Sequence, residues 1–340
     1  MSTQIAIREY EPSDEVPVLG LLNLALGSGR AFERSSAFFR WKHLENPFGP
    51  SLMLLANGSE IVGLRAFLRW EFRSGGEVLR AVRAVDTATH PAYQRLGIFS
   101  RLTAACLERA KAQGTHLIFN TPNRFSLPGY LKLGWIYVGR TTVMVRPLRP
   151  LRMARAIVAP LPDAPHEDDS AGTGRIRSVD DLLGAEQALA GLLRRDDAAL
   201  ASGIRTTRSV AFLRWRYGGV PSLHYGAHWV GDGDLRAAAV YRVTRRRGLR
   251  ELMLTELFFD DDRAGRRVLR EILGNVPADY AVAHCAWATP HRRLLLALGF
   301  LPAPRLGPHF TVRPLAAIEV GRDPKAAASW RLSLGDLEVF

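Results

Sequence analysis

The chain has 340 residues, 47% of them hydrophobic and 23% charged, with a mean hydropathy of −0.04; this suits a folded protein of roughly two domains of about 150 residues and excludes a disordered or fibrous one. The longest apolar stretches, Leu52 to Ala56 and Leu294 to Leu298, fall far short of the roughly 20 residues a bilayer span needs, so no membrane crossing is expected. The opening MSTQIAIREYEPSDE turns acidic where a secretory leader would be basic and then apolar, which points to the cytoplasm. A formal charge of +13 attracts phosphates of any origin. Only four of the 46 basic residues are lysine (Lys42, Lys111, Lys132, Lys325), a bias that GC-rich bacterial codon usage accounts for more simply than nucleic-acid binding.

The first 147 residues read as a mixed αβ unit. Ile5 to Arg8 suit a short strand, and Val16 to Leu26 a helix that Ser13 or Asp14 can cap. Leu52 to Ala56 and Ile61 to Phe72 form a hairpin about Asn57-Gly58; a second turn, Ser74-Gly75-Gly76, leads into a strand from Val78 to Thr89. A helix follows from Leu96 to Gln113, with Phe99, Leu102, Cys106 and Ala110 at helical spacing and Gly114 as its stop. Leu117 to Asn120 is a strand, Phe125 to Leu133 a short helix, and Trp135 to Val145 a closing strand. Cys106 and Cys285 sit in apolar sequence without CxxC or His-rich spacing; both read as core residues, and no metal site is expected.

Residues 159 to 174, APLPDAPHEDDSAGTG, have the composition of an exposed linker. They divide a first domain (1–150) from a second (175–340), with 151–174 as the connection. Parts of the first half then recur in order. Ala37-Phe-Phe-Arg-Trp-Lys42 matches Ala211-Phe-Leu-Arg-Trp-Arg216, Val85-Asp86 lies on Thr255-Glu256, Thr121-Pro122 on Thr289-Pro290, and Leu133-Gly-Trp135 on Leu298-Gly-Phe300. The offset shrinks from 174 to 165, as small deletions in a duplicated copy produce.

Thr87 to Ser100, TATHPAYQRLGIFS, is a strand end that passes directly into a helix. A helix start offers unpaired amides and a positive dipole end, and a glycine lets backbone approach a phosphate; equally, Gly97 can simply ease a tight turn. Here the chain resembles the GNAT superfamily of acyl-CoA-dependent acyltransferases, whose signature is Gln/Arg-x-x-Gly-x-Gly/Ala between the fourth strand and third helix. The hexad is Gln94-Arg95-Leu96-Gly97-Ile98-Phe99, with Phe99 where the family keeps Gly or Ala. A strand followed by Asn (Asn120 to Asn123) and Tyr130-Leu-Lys-Leu-Gly-Trp135, similar to the family's Tyr-x-Lys-x-Gly-Phe segment, fall at the expected distance. In the second copy the hexad is replaced by Asp260-Asp261-Asp262-Arg263-Ala264-Gly265-Arg266, whose charge should repel a pyrophosphate. The resemblance therefore implies two tandem domains, each a mixed, mostly antiparallel sheet flanked by helices, with one live acyl-CoA site. Tandem chains of this kind include the enhanced-intracellular-survival aminoglycoside acetyltransferases and the Fem-type peptidyltransferases.

Acyl transfer to an amine requires a neutral amine, stabilisation of an oxyanion and a proton for the departing thiolate. The resemblance assigns the pantetheine arm to Val85, Thr87, Ala88 and Thr89, and the pyrophosphate to the amides of Arg95, Leu96, Gly97, Ile98, Phe99 and Ser100 beside Gln94, with charge from Arg95 and Arg101. Tyr130 matches the family's acid, or packs against Trp135. Asn123 either binds pantetheine or caps the short helix. Asp86, a carboxylate inside an apolar strand, is a general-base candidate or the partner of Arg83 or Arg40. The resemblance to the survival-type enzymes, whose own terminus enters the active site, implies a rival in the terminal carboxylate of Phe340, since this sequence likewise closes on an apolar strand, Leu337 to Phe340. Trp41, His43 and Asn46 fall where the family recognises its acceptor, though Trp215 in the second copy gives Trp41 a packing role. His90 reads as a turn residue and His116 as a strand edge, and no Ser-His-Asp or Walker pattern is present. The expected activity is transfer of an acyl group, most simply acetyl, from acyl-CoA to a small-molecule primary amine by direct attack in a ternary complex, without metal. The alternatives are a non-catalytic acyl-CoA-binding protein and an aminoacyl-tRNA-dependent transferase, for which the charge would serve tRNA.

Overall fold

A computed structural model describes residues 5–27, 34–158, 177–231, 233–286, 289–318 and 322–337. The chain divides into two compact units, the first of residues 1–72, 78–137 and 310–320 and the second of 73–77, 138–309 and 321–340. The expected linker, 159–174, lies outside the described residues.

The first unit runs β1 (Ala6–Glu9), α1 (Glu15–Leu26), α2 (Ser36–His43), β2 (Leu52–Asn57), β3 (Ile61–Ser74), β4 (Glu77–Thr89), α3 (Ile98–Ala112), β5 (Leu117–Asn120), α4 (Leu127–Lys132) and β6 (Ile136–Arg140). Its sheet is ordered β1-β2-β3-β4-β5, antiparallel from β1 to β3 and parallel between β4 and β5. The β4–β5 register covers Ala81–Leu117 to Arg83–Phe119, while β4 continues to Thr89. Alternation along β2 to β5 buries Leu52, Leu54, Val62, Phe67, Val82 and Ile118 against Leu102, Cys106 and Ala110 of α3; Phe99, the first residue of the expected stripe, is only half-buried and lies outside this cluster.

The second unit runs β7 (Val143–Pro147), α5 (Pro150–Val158), β8 (Arg177–Ser178), α6 (Val179–Gly184), α7 (Glu186–Ala199), β9 (Arg205–Thr206), α8 (Val210–Leu213), β10 (Gly226–Val230), β11 (Ala237–Arg246), β12 (Leu249–Phe259), α9 (Asp262–Asn275), β13 (Tyr280–His284), α10 (Pro290–Ala297) and β14 (Leu301–Ala303). β15 (His309–Pro314) then belongs chiefly to the first unit and α11 (Leu334–Leu337) to the second. The second sheet is ordered β14-β7-β13-β12-β11-β10-β8, again mixed and mostly antiparallel. No helix among the described residues is long and apolar enough to cross a membrane.

The element order β2-β3-β4-α3-β5-α4 recurs as β10-β11-β12-α9-β13-α10. Ser35 and Ser209 cap the matched helices through the amides of Phe38 and Phe212. Gly134 and Gly299, at φ +84° and +79°, close α4 and α10 and deliver the buried Trp135 and Phe300 to their cores.

Four local expectations change. The strand expected over Trp135 to Val145 is two strands: β6 stays in the first sheet and β7 enters the second, between β13 and β14. The first sheet takes β15 against β5 instead. A period of two says which side chains share a face, but not which sheet receives them. Asp14 does not cap α1; its carboxylate accepts from the Glu11 amide and pairs with Arg8 at 2.6 Å. The turn after Asn57 is a three-residue loop with a register shift at Ala56/Asn57, and Gly58 is not left-handed. Finally, the described part of the C-terminal segment, through Leu337, is helical, and the rest lies outside the described residues.

Candidate active site

Where β4 runs beyond its ladder with β5, a cleft of about 1130 Å³, open to solvent, is lined by Ala25 and Leu26 of α1, Thr87 to Thr89 of β4, Tyr93, Gln94, Arg95, Gly97 to Ser100, Ser126 and Tyr130. Gly97 is the N-cap of α3 at φ +72°, and Arg95 is left-handed at φ +66°. No side-chain cap serves α3, and the residues of its first turn, whose amides a helix leaves without an intrahelical partner, line the cleft. This is the arrangement in which a helix start binds a phosphate. The structure brings Thr87, Ala88, Thr89, Gln94, Arg95, Gly97, Ile98, Phe99 and Ser100 together around this cleft. Val85 is buried behind the cleft and Leu96 is exposed outside it. The Arg101 guanidinium turns away to the Ile5 carbonyl.

The matched helix start in the second unit is built differently. Asp261 caps α9, its carboxylate accepting from the amides of Arg263 and Ala264 at 2.9 Å each. Those amide bonds hold its carboxyl below the usual range. The acidic run thus does more than repel: one carboxylate already occupies the place a phosphate would take.

Tyr130, on α4, is buried against Trp135 at 5.1 Å between ring centres, and its hydroxyl accepts from Arg65 Nη1 at 3.0 Å. The ring belongs to the core cluster, and the residue also lines the cleft. Asn123 does not line the cleft. Its carboxamide oxygen accepts from the Phe125 and Ser126 amides at 2.9 Å, the capping alternative.

Asp86 pairs with neither Arg83 nor Arg40. Arg40 bonds Glu15, and Arg83 reaches Thr121. The Asp86 carboxylate lies 2.5 Å from Lys42 Nζ and 3.0 Å from His43 Nε2, and His43 Nδ1 lies 2.9 Å from Ser51 Oγ. With the carboxylate accepting the Nε2 proton, Nδ1 accepts from the Ser51 hydroxyl, giving a Ser51-His43-Asp86 chain that the sequence did not show. Asp86 sits at φ +39°, a strained conformation for a non-glycine strand residue. Burial drives its carboxyl up, but the Lys42 charge and the His43 bond outweigh that and hold it well below the usual range. Burial also drives the His43 imidazole down, so it is neutral. The matched acid Glu256 has other company, accepting from Tyr217 at 2.7 Å, Arg208 at 2.9 Å and Ser333 at 3.1 Å.

Two consequences can be measured. Asp86 stabilises the fold above its ordinary 3.8, and that contribution is lost as pH falls toward its lowered native value. His43 adds a loss below its ordinary 6.5, because only the unfolded chain takes up that proton readily. Lys42→Met strands the carboxylate and should cost about 3–5 kcal/mol at pH 7, read from denaturant midpoints. The same variant should show a smaller acid-side loss below pH 4, because without the ammonium the native Asp86 pKa rises.

The expected acceptor trio is not at the cleft. Trp41 is buried against Phe38, with ring centres 5.2 Å apart, and His43 is committed to Asp86. Asn46 donates to the Arg69 carbonyl and accepts from the Phe48 amide. Phe340 lies outside the described residues. His90 is a turn residue, its Nδ1 accepting from Ala92. Residues missed outright are Ser51, Arg65 and Lys42 as Asp86's counter-charge. Lys42 carried a signal, a lysine in a chain that uses arginine almost everywhere, and Arg65 another, a charge inside the apolar run Leu64 to Leu68.

A sequence profile described as acetyltransferase (GNAT) domain matches residues 6–138. No curated protein sequence matches the chain. Among solved structures, a GCN5-related N-acetyltransferase from Anabaena variabilis aligns with a TM-score of 0.65 at 15% identity, over 92% of this chain and 73% of that one. One from Kribbella flavida gives 0.62 at 16% identity over 92% and 71%. The Saccharomyces cerevisiae N-myristoyltransferase with bound myristoyl-CoA gives 0.58 at 14% over 96% and 85%. At such identities the likeness carries the fold, and it extends through both units. Residues 6–138 therefore match the acetyltransferase (GNAT) domain family, and the fold is that of the GCN5-related N-acetyltransferases.

Proposed function

We propose that the protein is an acyl-CoA-dependent N-acyltransferase, moving a short acyl group, most simply acetyl, to a primary amine by direct attack in a ternary complex. The observation that carries this reading is the start of α3, without a side-chain cap, in a cleft that Tyr130 also lines. The amides following Arg95 would hold the pyrophosphate, and the backbone of Thr87 to Thr89 the pantetheine arm. Tyr130 would give its proton to the departing thiolate. Asp86, already paired with an ammonium, is a weak base, and it holds His43 in one tautomer beside Ser51; none of the three lines the cleft, so the acceptor's proton would pass to solvent. The Asp261 cap supports a single site per chain. Titration calorimetry with acetyl-CoA tests the reading: binding is expected, and no heat at millimolar ligand would remove it. A steep salt dependence of tRNA binding would favour the aminoacyl-tRNA alternative instead.

A further inference from the structure

Arg65 projects from the middle of β3 and is fully buried. No carboxylate among the described residues pairs with it, and its Nε and Nη2 have no hydrogen-bond partner. Its Nη1 serves two hydroxyls, Thr87 Oγ1 and Tyr130 at 3.0 Å, and both of those residues line the cleft while Arg65 does not. The rings of Phe67, Tyr130 and Phe99 stand 5.0, 5.3 and 5.6 Å from its guanidinium carbon. These faces soften the burial of a cation but leave its charge uncompensated.

A guanidinium has donors only, so both hydroxyl oxygens accept from it. Neither hydroxyl proton can then point at Arg65, and each is left for an acceptor on the other side, in the cleft. We infer that Arg65 is a positioning residue that aims the Tyr130 and Thr87 hydroxyl protons into the cleft and supplies the countercharge when Tyr130 gives its proton up. This rests on the proposed acyl transfer. In that step the Tyr130 O–H bond breaks and an S–H bond forms on the departing thiolate. The electron pair left on the phenolic oxygen lies beside the buried cation, and a solvent proton restores the hydroxyl before the next turnover. Thr87, its oxygen held in the same way, offers a second donor next to Tyr130.

The test compares Arg65→Met, which keeps the stem and removes charge and donors, with Arg65→Lys, Tyr130→Phe and the Met/Phe double variant. Turnover is read as free-thiol release from acetyl-CoA with ethanolamine in excess, and affinity by calorimetry with coenzyme A. Arg65→Met should lower kcat by about 10²-fold while coenzyme A affinity stays near wild type, and Arg65→Lys should recover part of the loss. In the Tyr130→Phe background Arg65→Met should add no further loss of kcat, because both changes remove one device. Wild-type kcat in Arg65→Met, or a full independent loss in the double variant, would overturn the inference. Should Arg65→Met fail to fold, Arg65→Lys enters the same cycle, since it keeps the charge and gives up the forked donor. If the wild-type protein itself neither binds coenzyme A nor releases thiol, the acyltransferase reading fails and the inference with it, a result distinct from either variant outcome.

Discussion

Gly97→Asp is expected to abolish coenzyme A binding while the protein stays folded. The backbone at φ +72° is one that aspartate tolerates better than most side chains, and a Cβ built there meets nothing within 4 Å. The fold therefore has room for the change. What it alters is the start of α3, where a carboxylate would sit against the free amides much as Asp261 does at the start of α9. Losing two charge-assisted hydrogen bonds at about 1.5–3 kcal/mol each corresponds to roughly 10²- to 10⁴-fold in affinity, before repulsion of the pyrophosphate is counted. Gly97→Asn, without the charge, should fall between wild type and Asp. The control is Asp261→Ala, which should leave coenzyme A binding unchanged and cost only the cap, about 1 kcal/mol. Were the second-unit change alone to weaken binding, the site would belong to the other copy.

Tyr130→Phe should lower turnover by roughly 10²- to 10⁴-fold with coenzyme A affinity near wild type. The ring remains packed between Trp135 and Phe99, so the pocket keeps its shape. Stability should fall too, because the hydroxyl is one of two acceptors that Arg65 has among the described residues, and an orphaned buried donor costs about 1–3 kcal/mol. A lowered melting temperature thus cannot by itself decide the role. Turnover does: a Phe variant that melts lower but works normally would assign Tyr130 to packing, and the thiolate would take its proton from water or from the acceptor.

What could be read along the chain was whatever depends on near neighbours in sequence. The strand-to-helix turn at Gln94 to Ser100, the Gly134 stop before Trp135 and the repeat of both copies are set by residues a few positions apart, whose spacing fixes backbone geometry directly. The stripe Leu102, Cys106 and Ala110 followed from helical period alone. Tertiary structure decided the partners. Asp86 meets Lys42 and His43 across 44 and 43 positions, and Arg65 meets Tyr130 across 65, because the folded chain brings the end of α2 to the strand that carries one and α4 to the strand that carries the other. The exchange of β7 for β15 was likewise invisible, since an apolar strand pairs with whichever edge the assembled sheets present. A charge in a buried strand announces that it needs a partner, but which partner depends on register and packing between elements distant in sequence, and these exist only once the core has formed.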